Sequence, residues 1–492
     1  MVQLKPLPIL LLLTLSSCTG TEPGLKIRLS QGGLNYALKV GVDVLSSKVR
    51  GQHLPDKSGS SHVGPGKVEY TVSGMRVTSF SPPSGKIVVQ PGKGLSVTLS
   101  GASIAVHGDW KYKYKIIFTI RDHGSFDVSA SGVGISLSLT LGKSSTGQPT
   151  IRSTSCTSSV SSVRVKFHGG ASWIYNLFHK SIEKPIKNAL VKVLCEQARK
   201  AVDDSAAKSL ATLPVKLVVE HVLDLDYRLV NNPVFASGFL ESDHKGEFFW
   251  HGDTTEAPFM PQPMPDPHQT TGMVQLHISP YILNTLGHVL QQKGLIQYTL
   301  TQKDLPAGQR GALNTSCAGV VCITNFVPQL KQYPNKTINI KMHATQDPKV
   351  SVVPNEVDIS FSGLFKYNLN MGNSSEKYLF TSSINATVKG TGSFQGNKLI
   401  GKVLKIDTSL KVTDSAIGNV SSAGLNFLFK AASTFIIPKL NEIGQKGLII
   451  PAMKHVQFQN PKTLLLKDMI FVSLDVHYIA EDSTLYFVSQ EV

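Results

Sequence analysis

The sequence predicts an α+β fold in which one domain occurs twice, each copy a highly twisted antiparallel sheet rolled around long helices. Two stretches of similar pattern recur 249 positions apart, and each half contains a long apolar helix with a proline inside it. Alternating strand patterns fill the chain between these helices. With 492 residues, the chain is long enough for two large β-rich domains.

The chain begins with a segment typical of a secretory leader. Lys5 precedes the apolar run ILLLLTL (9–15), and small residues follow in SSCTG (16–20). The run is too short for a membrane span, so we expect residues 1–20 to be removed and the mature protein to be secreted or stored in granules. A lipoprotein box at LSSC (15–18), with Cys18 as the lipid anchor, is the less favoured interpretation.

The repeat begins with LKIRLSQGGLNYAL (25–38) and returns as VQLHISPYILNTLG (274–287). In both, a strand pattern gives way to helical spacing. Later in each half, residues 173–198 and 425–445 have apolar positions at helical spacing, and Pro185 and Pro438 should kink these helices. Such helices ordinarily pack on protein, and the alternative is an apolar gap that holds a guest molecule.

Strands are predicted between the helices of each half, because small or apolar residues alternate with polar ones. The predicted segments are 94–108, 124–142 and 161–167 in the first half, and 337–344, 355–371 and 384–396 in the second. The segment EAPFMPQPMPDPH (256–268) has five prolines and should be an extended, rigid boundary between the copies.

Four cysteines remain after the leader: Cys156, Cys195, Cys317 and Cys322. In an oxidising compartment they predict two disulfides, for which three pairings are possible. The short spacing of CAGVVC (317–322) favours a local pair. Sequons for N-glycosylation occur only in the second half, at Asn314, Asn335, Asn373, Asn385 and Asn419.

The net charge of +16 is concentrated in the first half. Residues 24–255 contain 28 Lys and Arg against 17 Asp and Glu, whereas residues 256–492 contain 20 against 15. A basic surface implies an anionic partner: nucleic acid, sulfated glycan or phosphate-bearing lipid. Export makes nucleic acid the least favoured of the three, and we expect none.

The stretch GDWKYKYKIIF (108–118) is the strongest candidate for a binding site. Side chains in a strand alternate between faces, so the lysines should point to one side and the aromatic residues to the other. We call Lys111, Lys113 and Lys115 the lysine row, and Trp110, Tyr112 and Tyr114 the aromatic row. The segment should then continue into an apolar strand. The lysine row is either a solvated edge strand that resists pairing or an anion-binding surface.

No complete catalytic motif is present. The chain lacks G-x-S-x-G, H-E-x-x-H, G-x-G-x-x-G and a phosphate loop, since GKSS (142–145) has no upstream glycine at the required position. His62 and His107 do not have metal-ligand spacing. We therefore expect a binding protein without enzymatic activity, metal or cofactor.

Many ordered segments resemble the family of bactericidal/permeability-increasing and lipopolysaccharide-binding proteins, over nearly the whole mature chain. They are GLKIRLSQGGLNYA (24–37), LPD (54–56), SGASIAVHGDWK (100–111), SLTLGKSSTGQPTI (138–151), SCTSSVSSVRV (155–165), WIYNLFHKSIE (173–183), LPVKLVVEHVLDLDYRLV (213–230) and the proline linker.

The resemblance implies a boomerang of two pseudo-symmetric barrels, each with an apolar pocket that binds a phospholipid. The expected domains are a basic barrel at 21–230, a central sheet with the linker at 231–272, and a glycosylated barrel at 273–492. It also implies a Cys156–Cys195 disulfide between a strand and the long helix.

The resemblance further implies a secreted, monomeric, antibacterial protein of innate immunity. It would bind lipopolysaccharide on the outer membrane of Gram-negative bacteria, with the lysine and aromatic rows meeting the phosphates of lipid A. Lys48, Arg50, Lys57 and Lys143 are expected to join these rows at the same end. The alternatives are a carrier for phospholipid or neutral lipid and a heparin-type glycan binder.

Overall fold

The computed structural model describes residues 21–49, 51, 53–170, 184, 187–188, 190–267, 271–317, 319, 322–450 and 456–479. The helices are α1 (Gln31–Val49), α2 (190–200), α3 (Ala207–Ala211), α4 (Tyr281–Gln292), α5 (Ile323–Phe326) and α6 (Ser422–Lys446). A π-helical turn, Ala201–Ala206, joins α2 to α3, and short 3₁₀ turns span Gln302–Asp304, Ala307–Leu313 and Pro328–Gln332.

The strands of the first half are β1 (Leu25–Ser30), β2 (Lys57–Val63), β3 (Gly66–Ser81), β4 (Ser84–Gln90), β5 (Gly94–Lys115), β6 (Thr119–Lys143), β7 (Pro149–His168), β8 (Lys216–Val219), β9 (Leu223–Asp226), β10 (Val234–Ala236), β11 (Phe239–His244) and β12 (Glu247–Trp250). Those of the second are β13 (Val274–Ile278), β14 (Gln297–Leu300), β15 (Thr337–Ala344), β16 (Lys349–Val353), β17 (Glu356–Gly372), β18 (Ser375–Gln395), β19 (Lys398–Ser415), β20 (Leu448–Ile449), β21 (Val456–Leu466) and β22 (Met469–Tyr478).

The two halves contain long antiparallel sheets with the same strand order. The first-half sheet runs β2-β3-β5-β6-β7 with β4 paired to β5. The second-half sheet runs β14-β15-β17-β18-β19 with β16 paired to β17, and it adds the short β20 beside β19. The predicted internal repeat is therefore confirmed at the level of topology. The β5–β6 turn is the topological equivalent of the β17–β18 turn.

A third sheet joins the halves, in the order β10-β11-β1-β13-β22-β21. Only β10 and β11 of this sheet fall inside 231–272, so the sheet extends well beyond the segment predicted for it. Its other strands come from the repeat starts and from the end of the chain. The small sheet β12-β9-β8 is separate and contributes to the same core.

The proline linker is held against the central sheet. The carboxylate of Asp266 accepts two hydrogen bonds from the Arg28 guanidinium, at 3.1 and 3.3 Å. Phe259 packs edge-to-face on the ring of Tyr281 with centroids 5.8 Å apart. These contacts fix the linker against the sheet, and its role as an extended boundary between the copies stays a prediction.

The helix and disulfide predictions are largely confirmed. α1, α4 and α6 lie where the helical spacing placed them, and α6 continues through Pro438. The predicted residues 173–183 and Pro185 lie outside the described part of the chain. Cys156 of β7 is bonded to Cys195 of α2, and Cys317 to Cys322. No helix among the described residues has the length and apolarity needed to cross a membrane.

Candidate functional site

The turn of the β5–β6 hairpin lies at one end of the first-half sheet, and the lysine and aromatic rows are on the β5 strand that leads into it. The side chains of Trp110 and Tyr112 are only 6% and 9% exposed, whereas all three lysines of the lysine row are exposed. The alternation predicted from the spacing is thus observed. It follows from the pleat of a strand whose two faces have different surroundings.

The aromatic row packs into a cluster that fixes the end of the sheet. The rings of Trp110 and Tyr112 are stacked with centroids 5.5 Å apart, and Phe167 of β7 meets the indole edge-on at 6.0 Å. The indole N–H donates a hydrogen bond to the carbonyl oxygen of Ser125, at 2.9 Å. The strand is therefore anchored through its aromatic face.

Strand pairing brings further cations beside the lysine row. Lys67 of β3 lies opposite Lys115, while Arg121 and His123 of β6 lie opposite Lys113 and Lys111. We call Lys67, Lys111, Lys113, Lys115 and Arg121 the basic face. Lys67 and Arg121 were missed from the sequence, because register pairs them with the row and nothing in their local sequence does.

One carboxylate interrupts the basic face. Glu69 accepts a hydrogen bond from the Lys115 ammonium at 2.8 Å, and the Lys67 ammonium lies 3.7 Å from the same oxygen. The hydrogen bond from Lys115 lowers the pKa of Glu69 below its usual value. Among the described residues, no carboxylate lies within ion-pair distance of Lys111, Lys113 or Arg121.

A histidine–carboxylate bridge borders the basic face farther down the strands. Asp127 of β6 contacts Nδ1 of His107 on β5 and Nε2 of His168 on β7, both at 2.8 Å. These two hydrogen bonds lower the pKa of Asp127. The bridge ties three adjacent strands together beyond the end of the basic face.

Two predicted members of the site lie elsewhere. Lys143 ends β6 at the opposite end of a 25-residue strand, a contour of roughly 80 Å from the turn. Lys57 pairs with Val72, which pairs with Trp110, so its register position is on the aromatic face. The side chain of Lys48 and all of Arg50 lie outside the described residues.

The prediction that an apolar strand follows the lysine row is wrong. Ile116, Ile117 and Phe118 form the turn between β5 and β6, where Lys115 pairs with Thr119. The Ile117 side chain is fully exposed, at 101%, and Phe118 is 64% exposed. An apolar run favours a strand in sequence reasoning, and only the pairing shows that the chain reverses there.

Apolar residues of the first-half sheet also pack on α1. Leu34 of α1 lies in a cluster with Ile87, Leu95 and Leu137 from three strands. A half-open pocket of about 250 Å³ lies between α1 and the start of β4, and it is lined by Leu38, Val42, Pro83 and Gly85 together with Asn35, Lys39 and Asp43.

The sequons lie on or beside the second-half sheet. Asn335, Asn373, Asn385 and Asn419 are exposed, while Asn314 is half-buried. Asn373 is in the two-residue β17–β18 turn, where it and Ser374 have φ values of 49° and 61°. Glycosylation at all five remains a prediction.

Comparison with known proteins agrees with this architecture. The N-terminal domain profile of the LBP / BPI / CETP family matches residues 33–205, and its C-terminal domain profile matches residues 218–478. The chain is 30% identical to the bactericidal permeability-increasing protein of Sebastes schlegelii over 460 residues, covering 93% of this chain and 96% of that protein. It is also 30% identical to the lipopolysaccharide-binding protein of Homo sapiens over 485 residues, covering 96% and 98%.

A solved structure shares the fold. The crystal structure of lipopolysaccharide binding protein matches with a TM-score of 0.62 and 26% identity, covering 94% of this chain and all of that one. The shared architecture is α+β, with mostly antiparallel strands and a sheet curled into a half-barrel. The chain belongs to the LBP/BPI/CETP family of lipid-binding proteins.

Proposed function

We propose that this protein is secreted and binds lipopolysaccharide through the basic face, which contacts the phosphates of lipid A. The observation that carries the proposal is the exposed row of cations on a strand whose opposite side is fixed by stacked aromatic rings. Lys111, Lys113 and Arg121 are available to an anion, because no carboxylate among the described residues lies within ion-pair distance of them. Glu69, the cross-strand neighbour of Lys113, hydrogen-bonds to Lys115 instead. An antibacterial role in innate immunity, as a monomer, belongs to the same proposal.

We propose that the acyl chains and the headgroup of the lipid contribute differently to binding. Burial of an acyl chain contributes about 0.8 kcal/mol per CH₂, so one long chain can contribute ~10 kcal/mol. Each lysine near an anionic surface adds only about 1 kcal/mol, and salt reduces it. The tails would therefore supply most of the affinity, and the basic face would select the headgroup.

We also propose that each half forms a barrel around an apolar phospholipid pocket, within a boomerang-shaped molecule. For the first half, the proposal is supported by Leu38 and Val42 of α1, apolar residues that line a half-open pocket between this helix and the sheet. The two disulfides are consistent with an extracellular location.

The second candidate function is a carrier of phospholipid or neutral lipid. Membership in a family of lipid-binding and lipid-transfer proteins favours it, since a carrier needs the apolar pockets and can do without the basic face. A carrier should bind neutral phosphatidylcholine as well as lipopolysaccharide.

The test is lipopolysaccharide binding by a triple variant, Lys111→Ala/Lys113→Ala/Lys115→Ala. A matched control, Lys398→Ala/Lys402→Ala/Lys411→Ala, removes the same charge from exposed positions of β19. We expect the first variant to lose at least tenfold in affinity at low salt and the control to bind like the wild type. Equal losses in both would contradict a local recognition site and leave only general charge attraction.

A further inference from the structure

The β5–β6 turn exposes three consecutive apolar residues at the end of a hairpin. Ile117 is fully exposed and Phe118 is 64% exposed. Short hairpin turns ordinarily contain Gly, Asn or Asp, which suit the backbone and the solvent. A contiguous exposed apolar group with a charged rim marks an interaction site.

The turn is supported from one side, which directs it outward. Gly66, at the start of β3, lies against Ile116: a Cβ on Gly66 would stand 2.6 Å from the Ile116 Cγ2. Ile116 therefore rests on the neighbouring β2–β3 turn. Ile117 and Phe118 form the apex of the hairpin.

The charges around the apex favour an anionic lipid surface as its occupant. Lys115 immediately precedes the turn, Arg121 follows it by three residues, and Lys67 pairs with Lys115. An apolar apex below a ring of cations matches a layer of hydrocarbon beneath a layer of phosphates. An apolar groove on another protein would match the apex and leave the cations without partners.

The equivalent turn of the second half has the opposite chemistry. The β17–β18 turn consists of Asn373 and Ser374, both exposed, and Asn373 begins a sequon. A glycan there would be bulky and hydrated, and it would keep that end of the molecule in water. The two ends of one repeated fold are thus chemically distinct.

We propose that the turn Ile116–Phe118 inserts into the acyl-chain layer of an anionic lipid surface, while the Asn373 turn stays in water. The inference deepens the proposed function and rests on it, because the basic face must first bring the turn to the headgroups. It assigns to the site a second ligand group, the acyl chains next to the bound phosphates.

The experiment places an environment-sensitive fluorophore on Ile117→Cys and, as a control, on Ser374→Cys. The probes are vesicles of phosphatidylcholine, vesicles of equal parts phosphatidylcholine and phosphatidylglycerol, and vesicles containing lipopolysaccharide, each with brominated acyl chains as quenchers. Cosedimentation measures binding independently of insertion. Because Ile117 is fully exposed, we expect both labelled variants to unfold at the wild-type temperature.

Insertion predicts a blue shift and acyl-chain quenching at position 117 on both anionic vesicles, with neither signal at position 374. Ile117→Ser/Phe118→Ser should weaken anionic vesicle binding at least about tenfold. If the protein cosediments with anionic vesicles while the label at 117 stays in water, insertion is overturned and the proposed function stands. If the protein cosediments with neither kind of anionic vesicle, both insertion and the proposed function are overturned. A shift at 117 that grows with protein concentration without lipid would instead identify a contact between copies and overturn insertion.

Discussion

Ile27 of β1 and Leu276 of β13 lie directly opposite each other in the central sheet, and they are also 249 positions apart, the offset between the two repeats. Leu25 pairs with Ile278, and Leu29 pairs with Val274. Val274 is the repeat equivalent of Leu25 and Ile278 that of Leu29, so replacing each residue by its equivalent turns one pair into the other. A local two-fold axis therefore passes between Ile27 and Leu276. The repeat starts are the structural centre that joins the two halves.

Truncation at this centre should destabilise the protein strongly. Leu276 is 2% exposed and packs in the core cluster of the central sheet, so Leu276→Ala should cost about 2–5 kcal/mol of unfolding free energy. Val234→Ala, at a 48% exposed position on the edge of the same sheet, should cost less than about 1 kcal/mol. Denaturant unfolding measures both, and similar costs would contradict the central role of the β1–β13 pair.

Buried His277 should make stability fall in mild acid. Burial, together with the positive charge of Arg28, lowers the pKa of His277 to about 4. Between pH 6.5 and about 4, the imidazole of His277 is protonated in the unfolded chain and neutral in the folded chain. The free energy of unfolding therefore declines as pH falls through this range. The full loss is on the order of 3 kcal/mol.

The check is unfolding free energy against pH for wild type, His277→Gln and the exposed control His62→Gln. The His277 variant should have a shallower slope between pH 6.5 and 4. Burial lowers the pKa of His244 as well, so part of the slope should persist. If His62→Gln also changed the slope of unfolding free energy against pH, exposed histidines would cause the pH dependence and the assignment to His277 would be contradicted.

Removing the carboxylate from the basic face should strengthen anion binding. Glu69 holds Lys115 by a 2.8 Å hydrogen bond, and Glu69→Gln should release that ammonium for a phosphate. One more available cation near an anionic surface corresponds to about fivefold in affinity. Titration with lipopolysaccharide at low salt measures the gain. Unchanged affinity would mean that Lys115 takes no part in binding.

The two disulfides should differ in their contributions. Cys156 and Cys195 are separated by 39 positions, whereas Cys317 and Cys322 are separated by 5. Loop-closure entropy then assigns about 4 kcal/mol to the first and about 2 kcal/mol to the second. Chemical unfolding of the two double Cys→Ser variants compares them, and a larger loss for the Cys317/Cys322 variant would contradict the entropic account.

Local periodicity was sufficient to predict α1, α4 and α6 and the alternation of the lysine and aromatic rows. Local periodicity does not reveal which residues of distant strands lie next to each other. Lys67 and Arg121 join the basic face through register, and Lys143 leaves it because β6 runs unbroken from Thr119 to Lys143, which places Lys143 at the end of the strand opposite the turn. The apolar run at Ile117 predicts a strand where the chain turns, because an exposed apolar residue and a buried one look alike in sequence.

Headgroup recognition is tested most directly by the affinity of the wild type for lipopolysaccharide and for neutral phosphatidylcholine vesicles at two salt concentrations. Recognition by the basic face predicts tighter binding to lipopolysaccharide, with an advantage that shrinks as salt rises, because exposed cations are screened. Equal affinity for both lipids, unaffected by salt, would contradict headgroup recognition by the basic face and indicate a lipid carrier.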